Sequence, residues 1–206
     1  MNEPEDLWHH GILDLIGDGC ALLNVDNDGN LDNLLVGPKL ALYKGNGKGQ
    51  FRDVTEQFEL NGLHGRFLGC EVGDYDHDGD EDIYLTAYHG GALLHNEAGK
   101  RFKDVTKYAG IKPQSWGTSA AFADIDGDGL LDLYVADYVQ FDSRSAQACL
   151  FNHHQTECAP ITYPPIKGEL YRNLGNGRFQ DVSARWGADN CHGRTLGVAF
   201  ADYDQA

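Results

Sequence analysis

Asp74-Tyr75-Asp76-His77-Asp78-Gly79-Asp80-Glu81-Asp82 is the stretch on which the reading of the fold turns. Carboxylates stand at its first, third, fifth and ninth positions, with Gly at the sixth. The pattern occurs 50 residues earlier as Asn24-Val25-Asp26-Asn27-Asp28-Gly29-Asn30-Leu31-Asp32. It occurs 50 residues later as Asp124-Ile125-Asp126-Gly127-Asp128-Gly129-Leu130-Leu131-Asp132. A fourth copy opens at Asp202-Tyr203-Asp204, 78 residues after the third.

A second marker keeps step with the first. Phe51-Arg52-Asp53-Val54-Thr55, Phe102-Lys103-Asp104-Val105-Thr106 and Phe179-Gln180-Asp181-Val182-Ser183 lie 51 and 77 residues apart. Two independent markers therefore share one period and one long insertion, which is the signature of a repeat architecture. Each repeat reads as four short strands. A small-residue run such as Ala121-Phe122-Ala123 precedes the acidic cluster, and a β-rich run such as Ile83-Tyr84-Leu85-Thr86 follows it. A third run (Leu40–Tyr43, Leu93-Leu94, Leu170-Tyr171) leads into a Gly/Asn turn, and the Phe-x-Asp-Val strand closes the unit. Four strands in roughly 50 residues is the size of a propeller blade.

The expected fold is all-β: a partial β-propeller with repeats at 17–67, 68–117 and 118–195, the last carrying an insertion at about 139–168. Residues 196–206 would begin a fourth blade. Three blades and a fraction do not close a ring, so a fragment of a larger propeller is expected, its remaining blades being the nearest partners.

The acidic clusters predict calcium. A loop folded tightly round a cation turns alternate side chains inward and offers the carbonyl of its seventh residue, while Gly at the sixth permits the sharp turn. The expected ligand positions are Asn24, Asp26, Asp28, Asn30 and Asp32; Asp74, Asp76, Asp78, Asp80 and Asp82; and Asp124, Asp126, Asp128, Leu130 and Asp132. An all-oxygen donor set in a flexible loop suits Ca²⁺ better than Mg²⁺. Asp-rich turns stabilised by local bonds are the plainer alternative, but they would leave several carboxylates in repulsion. An EF-hand would need Glu at the twelfth position, where this chain has Leu35, Leu85 and Val135. About three sites are expected, the first being weakest because Asn24 replaces a carboxylate.

Composition narrows the partners. The 206 residues carry 32 acidic and 16 basic side chains, a formal charge of −16, which opposes nucleic-acid binding. No run approaches the roughly 18 apolar residues of a membrane span. Twenty-six glycines and a 41% hydrophobic content suit strands joined by tight turns around a real core. No nucleophile–base set is visible, Ser143 and Ser145 standing in no recognisable motif.

Asp-x-Asp-x-Asp-Gly-x-x-Asp followed by Leu-Tyr-x-Asn and Phe-x-Asp-Val resembles the FG-GAP/VCBS repeat. Tyr171-Arg172-Asn173-Leu174-Gly175-Asn176-Gly177-Arg178-Phe179 narrows the resemblance to the cartilage acidic protein-like, ASPIC/UnbV-associated group. The likeness runs from about Gly19 to the C-terminus. It implies an extracytoplasmic propeller, usually seven-bladed, with Ca²⁺ between the first and second strands of a blade. It also implies adhesion or binding of a protein or glycan ligand more often than catalysis. The C-terminal segment that names the group is not in this sequence, and nothing tied to it carries over. A propeller domain of a carbohydrate-active enzyme and a structural spacer are the alternatives, and the parent's expected place is extracellular, cell-surface or periplasmic.

Within the insertion, Cys149 and Cys158 are expected to form a disulfide, which would staple a long exposed loop in an oxidising compartment. The resemblance also implies a Cys pair in this insertion. A zinc site from Cys149, His153, His154 and Cys158 is the less favoured alternative, its spacing matching no common finger. Cys20 and Cys70 read as small buried core residues, and Cys191 has no evident mate. His64-Gly65-Arg66 and His192-Gly193-Arg194 stand 128 residues apart, in register at the blade-to-blade connections. His64, Arg66, His192 and Arg194 are therefore candidates for a ligand face opposite the calcium loops, or for fixing the blade junction.

Overall fold

The computed structural model describes residues 13, 18–145, 148–152, 154–190 and 193–202. Among these, blade 1 is built from β1 (Gly19–Leu23), β2 (Asp32–Val36), β3 (Ala41–Gly45) and β4 (Phe51–Asp53), hydrogen-bonded in that order. Blade 2 is β5 (Arg66–Gly73), β6 (Asp82–Gly90), β7 (Ala92–Asn96) and β8 (Phe102–Asp104), antiparallel throughout. Blade 3 begins with β9 (Gln114–Ala123) and β10 (Asp132–Asp137) and detours through the hairpin β11 (Ala148–Phe151) and β12 (His154–Glu157). It resumes with β13 (Glu169–Asn173) and β14 (Phe179–Asp181). Two single-turn helices, α1 (Thr106–Ala109) and α2 (Ser183–Trp186), follow β8 and β14. The chain is an all-β partial propeller.

Side-chain alternation makes this architecture. Along β6, Ile83, Leu85 and Ala87 pack into the core shared with blade 1, while Tyr84 points to the core shared with blade 3. β7 divides the same way, with Ala92 and Leu94 on one side and Leu93 on the other. A strand apolar on both faces must be covered on both, so the blades stack face to face. Blades 2 and 3 are further joined where the ends of β6 and β9 pair, Tyr88 with Trp116 and Gly90 with Gln114. The first strands of neighbouring blades approach closely. A Cβ on Gly19 would lie 2.9 Å from Gly69 Cα, and one on Gly69 would lie 2.9 Å from the Thr118 carbonyl oxygen.

The Phe-x-Asp-Val-Thr/Ser marker closes each blade by hydrogen bonding. The hydroxyls of Thr55, Thr106 and Ser183 accept the amides of Leu42, Leu93 and Leu170 at 2.8–2.9 Å. Each donates in turn to the Asp two residues before it, Asp53, Asp104 or Asp181, at 2.6–2.7 Å.

One expectation is corrected. Cys20 is exposed, and Cys70 is only half-buried, packed against the margin of the core that blades 1 and 2 share. Burial still pushes the Cys70 thiol up to about 12. Of residues 196–206, expected to start a fourth blade, the described residues 196–202 carry no ladder pairing. The expected disulfide joins Cys149 and Cys158, so neither thiolate is available for the alternative zinc site. His153, Cys191, His192, Tyr203 and Asp204 lie outside the described residues.

Candidate metal centre

Each acidic nonapeptide forms the turn between the first and second strands of its blade, with Leu23 paired to Asp32, Gly73 to Asp82 and Ala123 to Asp132. The sixth-position glycines adopt the left-handed backbone the reading required, Gly29 at φ 84°, Gly79 at 91° and Gly129 at 89°. The fourth position is left-handed as well, in Asn27, His77 and Gly127. Two such residues in one short turn curl the loop back on itself and gather its side chains.

Position one acts partly as a cap for its own loop. Asp74 accepts the amides of Asp78 and Gly79, and Asp124 accepts those of Gly127, Asp128 and Gly129, all between 2.8 and 3.1 Å. Position five does the same two residues on: Asp28, Asp78 and Asp128 accept from the amides of Asn30, Asp80 and Leu130. In loop 1 no such bond reaches position one. Asn24 Oδ1 and Asp26 Oδ1 are buried atoms with no hydrogen-bond partner. Orphaned buried acceptors on adjacent ligand positions are the donor chemistry a hard cation satisfies, so the residues fit one.

Position nine has a second task. Asp32, Asp82 and Asp132 are fully buried, and each carboxylate accepts two backbone amides. One comes from the loop's second residue, Val25, Tyr75 or Ile125, at 2.9, 3.3 and 3.2 Å. The other comes from the end of the third strand, Gly45, Asn96 or Asn173, at 2.8 Å. This residue therefore bolts the loop to the blade. Burial raises the pKa of Asp82 and of Asp132 above the ordinary carboxylate range. In loop 2, oxygens of Asp74, Asp76 and Asp82 also lie within 4.8 Å of one another; in loop 3 those of Asp124, Asp126 and Asp128 do.

Sequence reasoning missed a column of basic residues. Lys44, His95 and Arg172 each stand one residue before the amide that binds the ninth Asp, and each reaches into its own acidic loop. Lys44 contacts Asp26, and Asp28 at 3.0 Å. Arg172 donates from Nε to Asp126 at 2.6 Å and from Nη2 to Asp128 at 2.8 Å. His95 Nδ1 lies 3.4 Å from Asp76 and 3.3 Å from Asp82, with Nε2 4.0 Å from Asp78. Their shared register, Lys44-Gly45, His95-Asn96 and Arg172-Asn173, is the signal that could have found them.

Loops 1 and 2 touch directly. Asn27 Nδ2 donates to the Gly79 carbonyl at 3.0 Å and to Asp80 at 2.8 Å, and the Asn24 amide donates to Glu81 at 2.5 Å. Across the other end of the blades, the candidate ligand face divides. Arg194 commits its guanidinium to the carbonyls of Pro160, Ile161 and Tyr163, at 3.0, 3.1 and 2.7 Å. His64 is exposed and Arg66 half-buried at the start of β5. A hollow of about 260 Å³ beside them is lined by His64, Tyr88, His89 and Asp104 among others.

Known proteins place this arrangement. The model of the FG-GAP-like repeat matches residues 24–85 and 74–135, together more than half of the chain. Cartilage acidic protein 1 of Mus musculus and that of Xenopus tropicalis are each 24% identical over 91% of this chain; the Homo sapiens protein is 23% identical over the same share. The chain spans 38% of the length of the mouse protein. Among solved structures, an Agrocybe aegerita lectin, described for specific recognition of non-reducing terminal N-acetylglucosamine, aligns at a TM-score of 0.35 and 20% identity. That alignment covers 77% of this chain and 49% of the lectin. No helix among the described residues is long and apolar enough to cross a membrane. With acidic loops, closing strands and interblade register all repeating through the matched region, this chain belongs to the FG-GAP-like repeat family.

Proposed function

We propose that this chain is a calcium-stabilised, non-catalytic module through which an extracytoplasmic protein binds a protein or glycan ligand. One observation carries the calcium: the buried, partnerless oxygens of Asn24 and Asp26 within an acidic loop that recurs in register in three blades. Asn24, Asp26 and Asp28, Asp74, Asp76 and Asp78, and Asp124, Asp126 and Asp128 would hold the ion, with the carbonyls of Asn30, Asp80 and Leu130. The ion would supply charge neutralisation and an anchor for the curled loop. Position-nine carboxylates would contribute from below while keeping the loop bolted to the third strand.

The binding role is supported by the family and by the geometry of the two ends. Acidic loops and basic residues fill one end of the blades, whereas the other carries a disulfide-stapled insertion and the hollow beside His64. The Cys149–Cys158 bond supports an oxidising location.

The test is thermal unfolding in millimolar Ca²⁺, in Mg²⁺ and in excess chelator. A ligand at about 100 times its Kd adds roughly 2.7 kcal/mol to a fold that alone binds it. A melting temperature that rises in Ca²⁺ and falls with chelator supports the reading, and identical curves refute it. Glycan-array binding with and without Ca²⁺ then separates recognition from a purely structural role.

A further inference from the structure

The three acidic loops differ in the cation that the chain itself brings to them. We propose that Lys44 and Arg172 are tethered counter-ions that hold loops 1 and 3 against divalent-cation entry, leaving loop 2, served by His95, as the tight site. The inference rests on the calcium reading above and adds what regulates it.

Geometry makes the distinction. Lys44 and Arg172 each bridge the third- and fifth-position carboxylates, Asp26 with Asp28 and Asp126 with Asp128, which are the oxygens a cation needs. An ammonium or guanidinium has no lone pair, so neither group can join a coordination shell. Metal entry must displace them, breaking two ion pairs and placing like charges at close range. Both side chains remain 24% and 35% exposed, so they can swing outward, and the barrier is one of affinity, not of access.

His95 behaves differently in two respects. Its imidazole makes no hydrogen bond to the carboxylates, and Nδ1 is buried without a hydrogen-bond partner. Imidazole is also not a permanent cation, so unlike an ammonium or guanidinium it sets no fixed positive charge against an entering ion. Ligand atoms of Asp76, Asp78 and His95 already lie within 4.8 Å of one another. Loop 2 thus has no permanently charged side chain across Asp76 and Asp78, whereas Lys44 and Arg172 bridge the equivalent pairs of the flanking loops.

The test is calorimetric titration of the whole chain with CaCl₂, comparing wild type with Lys44→Met, Arg172→Met and the double variant. Methionine keeps most of the apolar stem and removes the charge. Wild type should show one tight site, abolished by Asp76→Asn. Each Met variant should tighten one further site by on the order of tenfold, a figure well below the raw Coulomb value because the pairs are partly exposed. Three equal sites in wild type, or Met variants that bind no more tightly, would overturn the proposal and leave the calcium reading standing. No binding to wild type or to any variant would sink both. Should a Met variant lose its strand signal in circular dichroism, Lys44→Gln and Arg172→Gln give the same readout.

Discussion

Asn173 in β13 donates from Nδ2 to the carbonyl of Tyr75, 98 residues earlier in the chain, at 2.8 Å. That carbonyl belongs to the acidic loop of the preceding blade. Asn96 does the same one blade earlier, donating to Val25 at 2.9 Å. Each Asn also bonds within its own blade, to Leu131 or Glu81. A single fully buried amide therefore fixes the spacing between one loop and the next.

Asn173→Ala leaves the buried Tyr75 carbonyl and the half-buried Leu131 carbonyl without their donor and is expected to cost about 1–3 kcal/mol. Asn173→Asp should be at least as harmful, since it sets a carboxylate against carbonyl oxygens. Urea unfolding of both variants measures this. Gly45 occupies the equivalent place in blade 1 and makes no such link, so Gly45→Ala should fail for a different reason: its Cβ would lie 2.2 Å from the Leu31 carbonyl oxygen.

These residues also mark how far the sequence can be read. Gly29, Gly79 and Gly129 announce the turn because few other residues adopt that backbone, and period-two alternation announces the strands. The burial of Asp32, Asp82 and Asp132 is not legible, since it depends on amides 13, 14 and 41 residues later. Lys44 and Arg172 were hidden for a related reason: a lone basic residue in a strand looks like ordinary surface until topology lays it over the neighbouring turn. Arg194 was legible as a position but not as a role, because its partners are backbone carbonyls, which any sequence supplies.

Trp116 is fully buried beneath the insertion, with Tyr88, Tyr138 and Phe141 rings at 5.6, 5.4 and 5.3 Å. This cluster ties β6, β9 and the insertion together and includes Tyr163, packed edge-on to Phe141. Trp116→Ala should cost about 3–5 kcal/mol. Chemical denaturation monitored by circular dichroism checks it. A loss under 1 kcal/mol would mean that the insertion rests on the blades without stabilising them.

Asp137 closes β10 and accepts the Trp116 amide at 2.9 Å. Burial, opposed by that bond and reinforced by Glu169, raises its pKa from 3.8 to about 6. The folded state thus holds the proton more tightly than the unfolded one. Its contribution is fully present below about pH 4 and is lost as pH rises through about 6. Asp137→Asn keeps an acceptor for Trp116 but removes the titration. Relative to wild type, the variant should gain on the order of 2–3 kcal/mol between pH 4 and pH 7. Paired urea titrations at the two values isolate the effect from the other carboxylates, which both proteins share. A difference that does not change with pH would place the Asp137 titration outside this range.

Arg194 clamps the insertion to the chain that leaves blade 3. Its three carbonyl partners lie within the turn at residues 160–163, and next to it the Thr195 carbonyl accepts the Thr118 hydroxyl at 2.7 Å. The amides of Thr162 and Tyr163 are held in that turn by Ala159 and Pro160. Arg194→Ala should leave the Cys149–Cys158 staple intact yet loosen the turn, so hydrogen exchange at Thr162 and Tyr163 quickens while amides of β2 keep their protection. Arg194→Lys should not restore it, because one ammonium cannot reproduce the spread of Nε and Nη2 donors. If exchange at those amides stayed at the wild-type rate, the clamp would be ruled out, and Arg194 would return to the solvent-facing ligand role that its register with Arg66 first suggested.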